Sequence, residues 1–227
     1  MKKLCYYCGK PLAKGQNHRE HIPPESIFEG SSKENLITVP SCFECNNGSS
    51  DDDQYLRFVV VTACQDDERA QRLADETGSM MRGFRYDRKL LGDIMSGANP
   101  KMKEMFSDGG VFVGWQPGFN VPVERLNTIF TKLTKGLFYH VLKRPLPDTH
   151  VVVVKLNPGR SQTAVQHFEE EPKVEIADGV FSYRQHTDRK DPNFTLWYIT
   201  FFGCFSVLCI TPTRETAEPY IRDSRLN

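Results

Sequence analysis

Four cysteines near the N-terminus have the spacing of metal ligands. Cys5 and Cys8 form one Cys-x-x-Cys pair, and Cys42 and Cys45 form a second. Each pair can hold one side of a metal ion, and two pairs complete a tetrahedral shell of four thiolates, a ligand set that suits zinc. The spacing therefore predicts a structural zinc site, because an ion with four thiolate ligands has no open position for water or substrate.

Residues of another kind lie in and just after the loop between the two pairs. Glu20 and His21 stand side by side, Asn35 follows them, and Asn46 and Asn47 come directly after the last cysteine. Carboxylate and amide oxygens suit a hard divalent cation, and an imidazole can act as a general base near neutral pH. These residue types therefore predict reaction chemistry at a place separate from the zinc.

The order of these motifs resembles a known family. A Cys-x-x-Cys pair followed by "EHIPPESIFEG" and then by "ENLITVPSCFECNN" is similar to the zinc-stapled HNH endonucleases over about residues 4 to 57. The resemblance implies a ββα-metal finger. In that finger a hairpin carries the acidic residue and the histidine, and a helix after the second cysteine pair carries the last metal ligand.

The resemblance also implies a role for each candidate. His21 would be the general base that takes a proton from water, and Glu20 would help to hold a catalytic Mg²⁺ or Mn²⁺. Asn35 would fix the loop beside the histidine, and Asn46 or its neighbour Asn47 would be the last ligand of that cation. The chain departs from the family where Glu20 replaces the commoner Asp, and where "GSSDDD" follows the asparagines in place of a basic residue.

The function implied is that of a metal-dependent endonuclease that hydrolyses phosphodiester bonds of nucleic acid, with DNA as the expected substrate. A non-catalytic zinc finger that binds nucleic acid or protein is the alternative. A thiol redox protein fits less well, because two Cys-x-x-Cys pairs around one loop match metal spacing better than a single exchange site does.

The elements that must position these residues predict an α+β protein. Ser50 and three aspartates predict the start of a helix, and a second helix is expected to end at Gly78. A strand at "GGVFVGW", a helix from Val123 to Lys143 and four further strands follow. The predicted organisation is a zinc-stapled module at 1–60, a helical connector at 61–108 and a mainly antiparallel α+β domain at 109–227.

The helix predicted at Val123 to Lys143 offers a second candidate surface. Its apolar residues, Leu126 to Val141, recur at helical spacing, and positions 121–149 hold five basic and two acidic residues. Two interpretations of the basic face stay open, a solvated surface and a stripe that tracks phosphates. In the second, the nucleic-acid-binding residues would be Arg125, Lys132 and Lys135.

Charge and hydropathy set the remaining expectations. Lys plus Arg equals Asp plus Glu at 29 each, so no global basic field indicates a nucleic-acid partner, and any such binding has to be local. No apolar run of about 18 residues occurs, so no membrane partner and a cytoplasmic location are expected. The oligomeric state is left open by the sequence.

Overall fold

The computed structural model describes residues 3–13, 15, 17–28, 35–47, 50–75, 101–106, 112–118, 122–156, 168 and 170–224. The fold is α+β, as predicted, with helices, antiparallel sheets and an N-terminal module around the four cysteines. Among the helices in these ranges, none has the length and apolar character needed to cross a membrane.

The N-terminal module is a hairpin followed by helices. Strand β1 (His18–Ile22) pairs antiparallel with β2 (Ile37–Ser41), and a 3₁₀ turn at Glu25–Ile27 follows β1. Helix α1 (Phe43–Asn47) comes directly after β2, and α2 (Ser50–Ala63) follows it. The hairpin register places Glu20 opposite Val39 and His21 opposite Thr38.

Helix α2 begins at Ser50, where the sequence predicts it, with three aspartates in its first turn. Negative side chains are favoured there because the helix dipole is positive at this end. Helix α3 (Glu68–Asp75) matches the second predicted helix, but its expected end at Gly78 lies outside the described residues.

The structure corrects the prediction at the C-terminal end of the helical connector. Strand β3 (Lys101–Phe106) pairs antiparallel with β4 (Phe112–Gly118), which matches the strand predicted at "GGVFVGW". Positions 101–106 are extended because their backbone groups pair with β4, so a helical connector running to 108 is wrong over these residues. The middle of the connector lies outside the described ranges.

Helix α4 (Val123–Leu142) is the long helix predicted from the apolar stripe. Its C-cap is Lys143, which adopts a left-handed conformation with φ of 57°. Leu126, Ile129, Phe130, Leu133 and Leu137 are buried as expected, whereas Val141 is exposed.

A five-stranded antiparallel sheet forms the C-terminal half. Its spatial order is β5 (Val153–Leu156), β9 (Phe205–Ile210), β8 (Thr195–Phe201), β7 (Phe181–Thr187) and β6 (Val174–Ile176). Alternate residues of β8 are buried, including Trp197 and Ile199, and the ring of Phe201 lies 6.4 Å from that of Phe130 in α4. Four of the strands match predicted runs, while β6 and the terminal helix α5 (Glu218–Ser224) do not appear in the sequence-based prediction.

One apolar cluster joins the module to the sheet. It extends from Tyr6 and Ile22, through Leu56 of α2 and Phe130 of α4, to Trp197 of β8. Helix α4 lies between the module and the sheet, so it is buried on two sides. The predicted boundary at residue 60 falls inside α2.

Candidate active site

The four predicted zinc ligands come together in the structure. Their sulfur atoms all lie within 4.8 Å of one another, and the Sγ atoms of Cys8 and Cys42 are 3.9 Å apart. Within the described ranges, this is the one cluster of three or more His, Cys, Asp or Glu residues close enough to hold a metal. The donor set and its spacing fit a structural zinc ion.

Two tight turns bring the cysteines together. The N–H of Gly9 donates to the carbonyl of Cys5 at 3.0 Å, and the N–H of Asn46 donates to the carbonyl of Cys42 at 3.0 Å. Gly9 has φ of +71°, the left-handed region that glycine enters without a steric penalty. The N–H of Tyr6 donates to the carbonyl of Pro40 at 2.9 Å, so the first turn is fixed to the end of β2.

The pKa values of the thiols are shifted in opposite directions across the cluster. Burial raises the pKa of Cys5, but backbone N–H groups, that of Cys8 foremost, outweigh burial and bring the pKa to about 7. Burial and the neighbouring thiol of Cys42 raise the pKa of Cys45. Four thiolates this close repel one another, and a zinc ion removes that repulsion while it holds the two turns together.

A cavity of about 260 Å³ lies beside the zinc site, between β1, α2 and α4. Glu20 and His21, the predicted catalytic pair, both contribute to its wall. The complete lining is Tyr7, Glu20, His21, Ile22, Pro24, Glu44, Cys45, Asp52, Asp53, Thr128, Ile129, Lys132 and Leu133. Residues from inside and outside the hairpin therefore share one concave site.

Glu20 is the most deeply buried of the predicted catalytic residues. Its side chain is 10% exposed, and its Oε1 forms an ion pair with Nζ of Lys132, which is 18% exposed. Removing a carboxylate from water is costly unless a positive charge or hydrogen bonds compensate it. Lys132, 112 positions away along the chain, supplies that positive charge.

His21 has an acidic neighbour that the sequence analysis did not single out. Nδ1 of His21 lies 3.4 Å from Oε2 of Glu25, four residues further along the chain. This is longer than an ordinary hydrogen bond, and catalytic contacts often shorten only when substrate binds. A carboxylate at Nδ1 favours the tautomer in which Nε2 is free to accept a proton.

Two aspartates of α2 also line the cavity, although the sequence explains them as helix-start residues. Burial raises the pKa of Asp53 from 3.8 to about 7; nearby Lys132 lowers it, and Glu20 and Asp52 raise it further. Asp52 is paired instead with Arg125, at 2.9 Å from Nε to Oδ1. Acidic residues at the start of α2 are therefore both favourable to the helix and part of the site.

The three predicted asparagines lie away from the cavity wall. Asn35 is exposed, with φ of 62°, two residues before β2. Asn46 is half-buried and Asn47 is exposed at the end of α1, whereas Cys45 and Glu44 of the same segment line the cavity. Glu20 and His21 therefore line the cavity, whereas these asparagines do not.

The three cations predicted to track phosphates face the module. Arg125 pairs with Asp52 and lies over the Tyr55 ring at 4.3 Å, and Lys132 pairs with Glu20. Nζ of Lys135 lies 3.4 Å from the carbonyl of Tyr7 and 4.5 Å from the centre of its ring. The module covers this side of α4, so these three cations are half-buried and in contact with it, and their role in binding phosphates stays a prediction.

The hairpin, the following helix and the four-cysteine cluster beside a carboxylate and an imidazole define a ββα finger whose cysteines fit a structural zinc ion. Residues 5–52 match the family profile of HNH endonuclease. The N-terminal module is therefore an HNH domain, as its motifs predict, and the family supports a nuclease function in general. No curated protein and no solved structure matches the chain.

The match ends within the first turn of α2. Asp53, Arg125 and Lys132 lie beyond residue 52, and their part in the site comes from the folded structure alone. The sequence does contain a signal that Lys132 is partly buried, because it lies next to apolar residues of α4. It does not show which element covers that side of the helix.

Proposed function

We propose that the protein is a metal-dependent endonuclease that hydrolyses phosphodiester bonds of nucleic acid, with DNA as its substrate. The observation that carries the proposal is the shared cavity, in which a buried carboxylate and an imidazole stand beside the four-cysteine cluster of an HNH domain. The zinc would be structural, and the cavity would be the reaction centre. The cytoplasmic location stays a prediction.

His21 is the general base of the proposed reaction. Its Nε2 takes a proton from a water molecule, whose oxygen attacks the phosphorus atom while the bond from phosphorus to the 3′ oxygen breaks. Glu25 holds Nδ1 and stabilises the imidazolium that forms. The 3′ oxygen leaves with a proton from solvent, so the products are a 3′ hydroxyl and a 5′ phosphate.

Glu20 would hold a Mg²⁺ or Mn²⁺ ion. The lining fits such a cation, because Glu20 offers carboxylate oxygens in a largely buried cavity whose wall carries further acidic side chains. When bound, the ion neutralises the charge that develops on the phosphate oxygens. Mg²⁺ commonly keeps several water ligands, so few protein donors suffice. Asn35, Asn46 and Asn47 keep the roles implied by the resemblance as predictions.

A non-catalytic binding module is the second candidate. It is favoured by one observation, namely that Glu20 already has a partner in Lys132 and that neither Asn46 nor Asn47 lines the cavity. Such a module would bind nucleic acid or protein through the finger and have no turnover.

Cleavage assays separate the two candidates. Zinc-loaded full-length protein is incubated with supercoiled plasmid, single-stranded DNA and RNA, each with Mg²⁺, Mn²⁺ or no added cation. We expect cation-dependent cleavage of DNA and its loss in Glu20→Gln, which keeps the side-chain shape and removes the charge. Protein that is folded and binds nucleic acid, but cleaves none of these substrates with either cation, would be the binding module.

A further inference from the structure

Helix α4 packs tightly against the HNH domain at Gly136. A Cβ atom at this position would lie 2.5 Å from Cδ1 and 2.6 Å from Cγ1 of Ile22, so a larger residue would force the Ile22 side chain or the helix to move. Ile22 and Glu20 point to the same side of β1, because side chains two apart on a strand share a face. Gly136 and Lys132 share a face of α4, because they are four apart on a helix.

These two shared faces together place the Lys132 ammonium group next to the Glu20 carboxylate. With Gly136 against Ile22, the preceding turn of the helix carries its ammonium group to the carboxylate two residues earlier on the strand. The contact therefore follows from how the two elements pack, and it is largely buried on both sides, with 18% and 10% of the side chains exposed.

The pairing of the other charged groups around the cavity determines which carboxylates interact with Lys132. Asp52 is paired with Arg125, and His21 faces Glu25, whereas Lys132 pairs with Glu20. Glu44 lies on the wall on the α1 side. Lys132 interacts electrostatically with Asp53 as well as with Glu20, so a second carboxylate stands within its influence.

We infer that Lys132 is the resident counter-cation of Glu20, and that a divalent cation binds Glu20 by displacing the Lys132 ammonium toward Asp53. The inference rests on the proposed function for the role of Glu20. Lys132 acts through Glu20, so it is a positioning residue: it balances the charge of the largely buried carboxylate and keeps it aimed into the cavity before the cation arrives. Helix α4, outside the matched HNH segment, thereby completes the catalytic centre.

Displacement makes the two cations compete for one carboxylate. A bound Mn²⁺ must overcome the attraction between Glu20 and Lys132 and then the repulsion from the displaced ammonium. Lys132→Met removes both costs and keeps most of the side-chain volume. We therefore expect Lys132→Met to bind Mn²⁺ about tenfold to a hundredfold more tightly than the wild-type chain, since like charges a few ångströms apart interact strongly at a half-buried site.

Calorimetric titration of the zinc-loaded full chain with Mn²⁺ measures this affinity. Lys132→Arg keeps the charge and should remain near wild type, and Lys143→Met removes an exposed charge from the end of the same helix and controls for net charge. Glu20→Gln should abolish the gain in a Lys132→Met background. Unchanged or weaker Mn²⁺ binding by Lys132→Met, with Lys143→Met equal to wild type, would overturn the inference.

A thermal-denaturation cycle without added Mn²⁺ covers the case in which Lys132→Met folds poorly. Either single change should lower the melting temperature, because it leaves one buried charge without its partner. Glu20→Gln with Lys132→Met should recover most of the loss, and additive losses would overturn the counter-cation assignment.

The two experiments also separate this inference from the proposed function. Cleavage by the wild-type chain together with an unchanged Mn²⁺ affinity in Lys132→Met rejects the inference alone. Tighter Mn²⁺ binding by Lys132→Met, together with no cleavage by either protein, rejects the nuclease and keeps the inference.

Discussion

Asp53 offers a quantitative test of the electrostatics of the cavity. Burial raises its pKa from 3.8 to about 7 in the folded chain. Between these two values the unfolded chain has lost the proton and the folded chain has kept it, so the folded state binds more protons. Stability should therefore fall as the pH rises from about 4 to 7, and the full cost should be present above pH 7.

The size of this cost follows from the shift. A difference of about three pKa units corresponds to at most about 4 kcal/mol, at about 1.4 kcal/mol per unit. Side-chain relaxation and residual contact with water reduce such values, so we expect about 1–3 kcal/mol. Asp53→Asn keeps the shape and cannot ionise, so its advantage over the wild-type chain should grow between pH 5 and pH 8 by about two thirds of this amount, because the remaining third is already lost between pH 4 and pH 5.

Urea unfolding measures the change, with fluorescence of the buried Trp197 as the signal and one equivalent of zinc as the only added divalent metal. Asp51→Asn removes a carboxylate from the same turn at an exposed position and controls for the helix dipole. An advantage of Asp53→Asn that is equal at pH 5 and pH 8 would refute the account of a buried carboxyl.

Three further predictions concern how the site is held together. Cys42→Ser should lose the zinc and unfold the N-terminal module, because metal-binding energy is folding energy here; zinc content and circular dichroism measure both, and full zinc content with unchanged melting would contradict the four-thiolate site. Arg125→Gln should cost about 1 kcal/mol of unfolding free energy in urea, and no further loss should follow when Asp52→Asn is added, whereas additive costs would mean that the pair is not coupled. Gly136→Ala should lower the melting temperature despite the better helix propensity of alanine, because its Cβ collides with Cδ1 and Cγ1 of Ile22; the change should cost little in an Ile22→Ala background, which lacks these atoms, and a stabilised Gly136→Ala would disprove the close approach.

The sequence predicts the parts of this site that are local. The cysteine pairs, the carboxylate–imidazole pair and the start of α2 are each visible in a few consecutive residues, and the structure contains the four-cysteine cluster and the helix. Helix α4 is also local, since its apolar stripe repeats at helical spacing, and its bounds agree with the prediction within one residue.

The contacts between distant segments are what the sequence does not reveal. Glu20 and Lys132 lie on β1 and α4, and nothing in either segment indicates that they meet. A basic helix face is usually solvated, and here the HNH domain covers it because Gly136 lets the helix approach Ile22. The role of Asp53 is hidden in the same way. The helix dipole fully explains an acidic residue at a helix start, so the sequence does not predict that the fold buries it.

The measurement that tests the central claim most directly is the cleavage rate of His21→Ala with Mg²⁺ or Mn²⁺ at saturating DNA. If His21 is the general base, the rate should fall by about 10²- to 10⁴-fold, while zinc content, melting temperature and DNA binding stay near wild type. His18→Ala is the matched control, because His18 lies on the same strand with its ring against Phe43 at 5.6 Å and outside the cavity lining. A His21→Ala protein that is folded, binds zinc and cleaves DNA as fast as the wild-type chain would contradict the account.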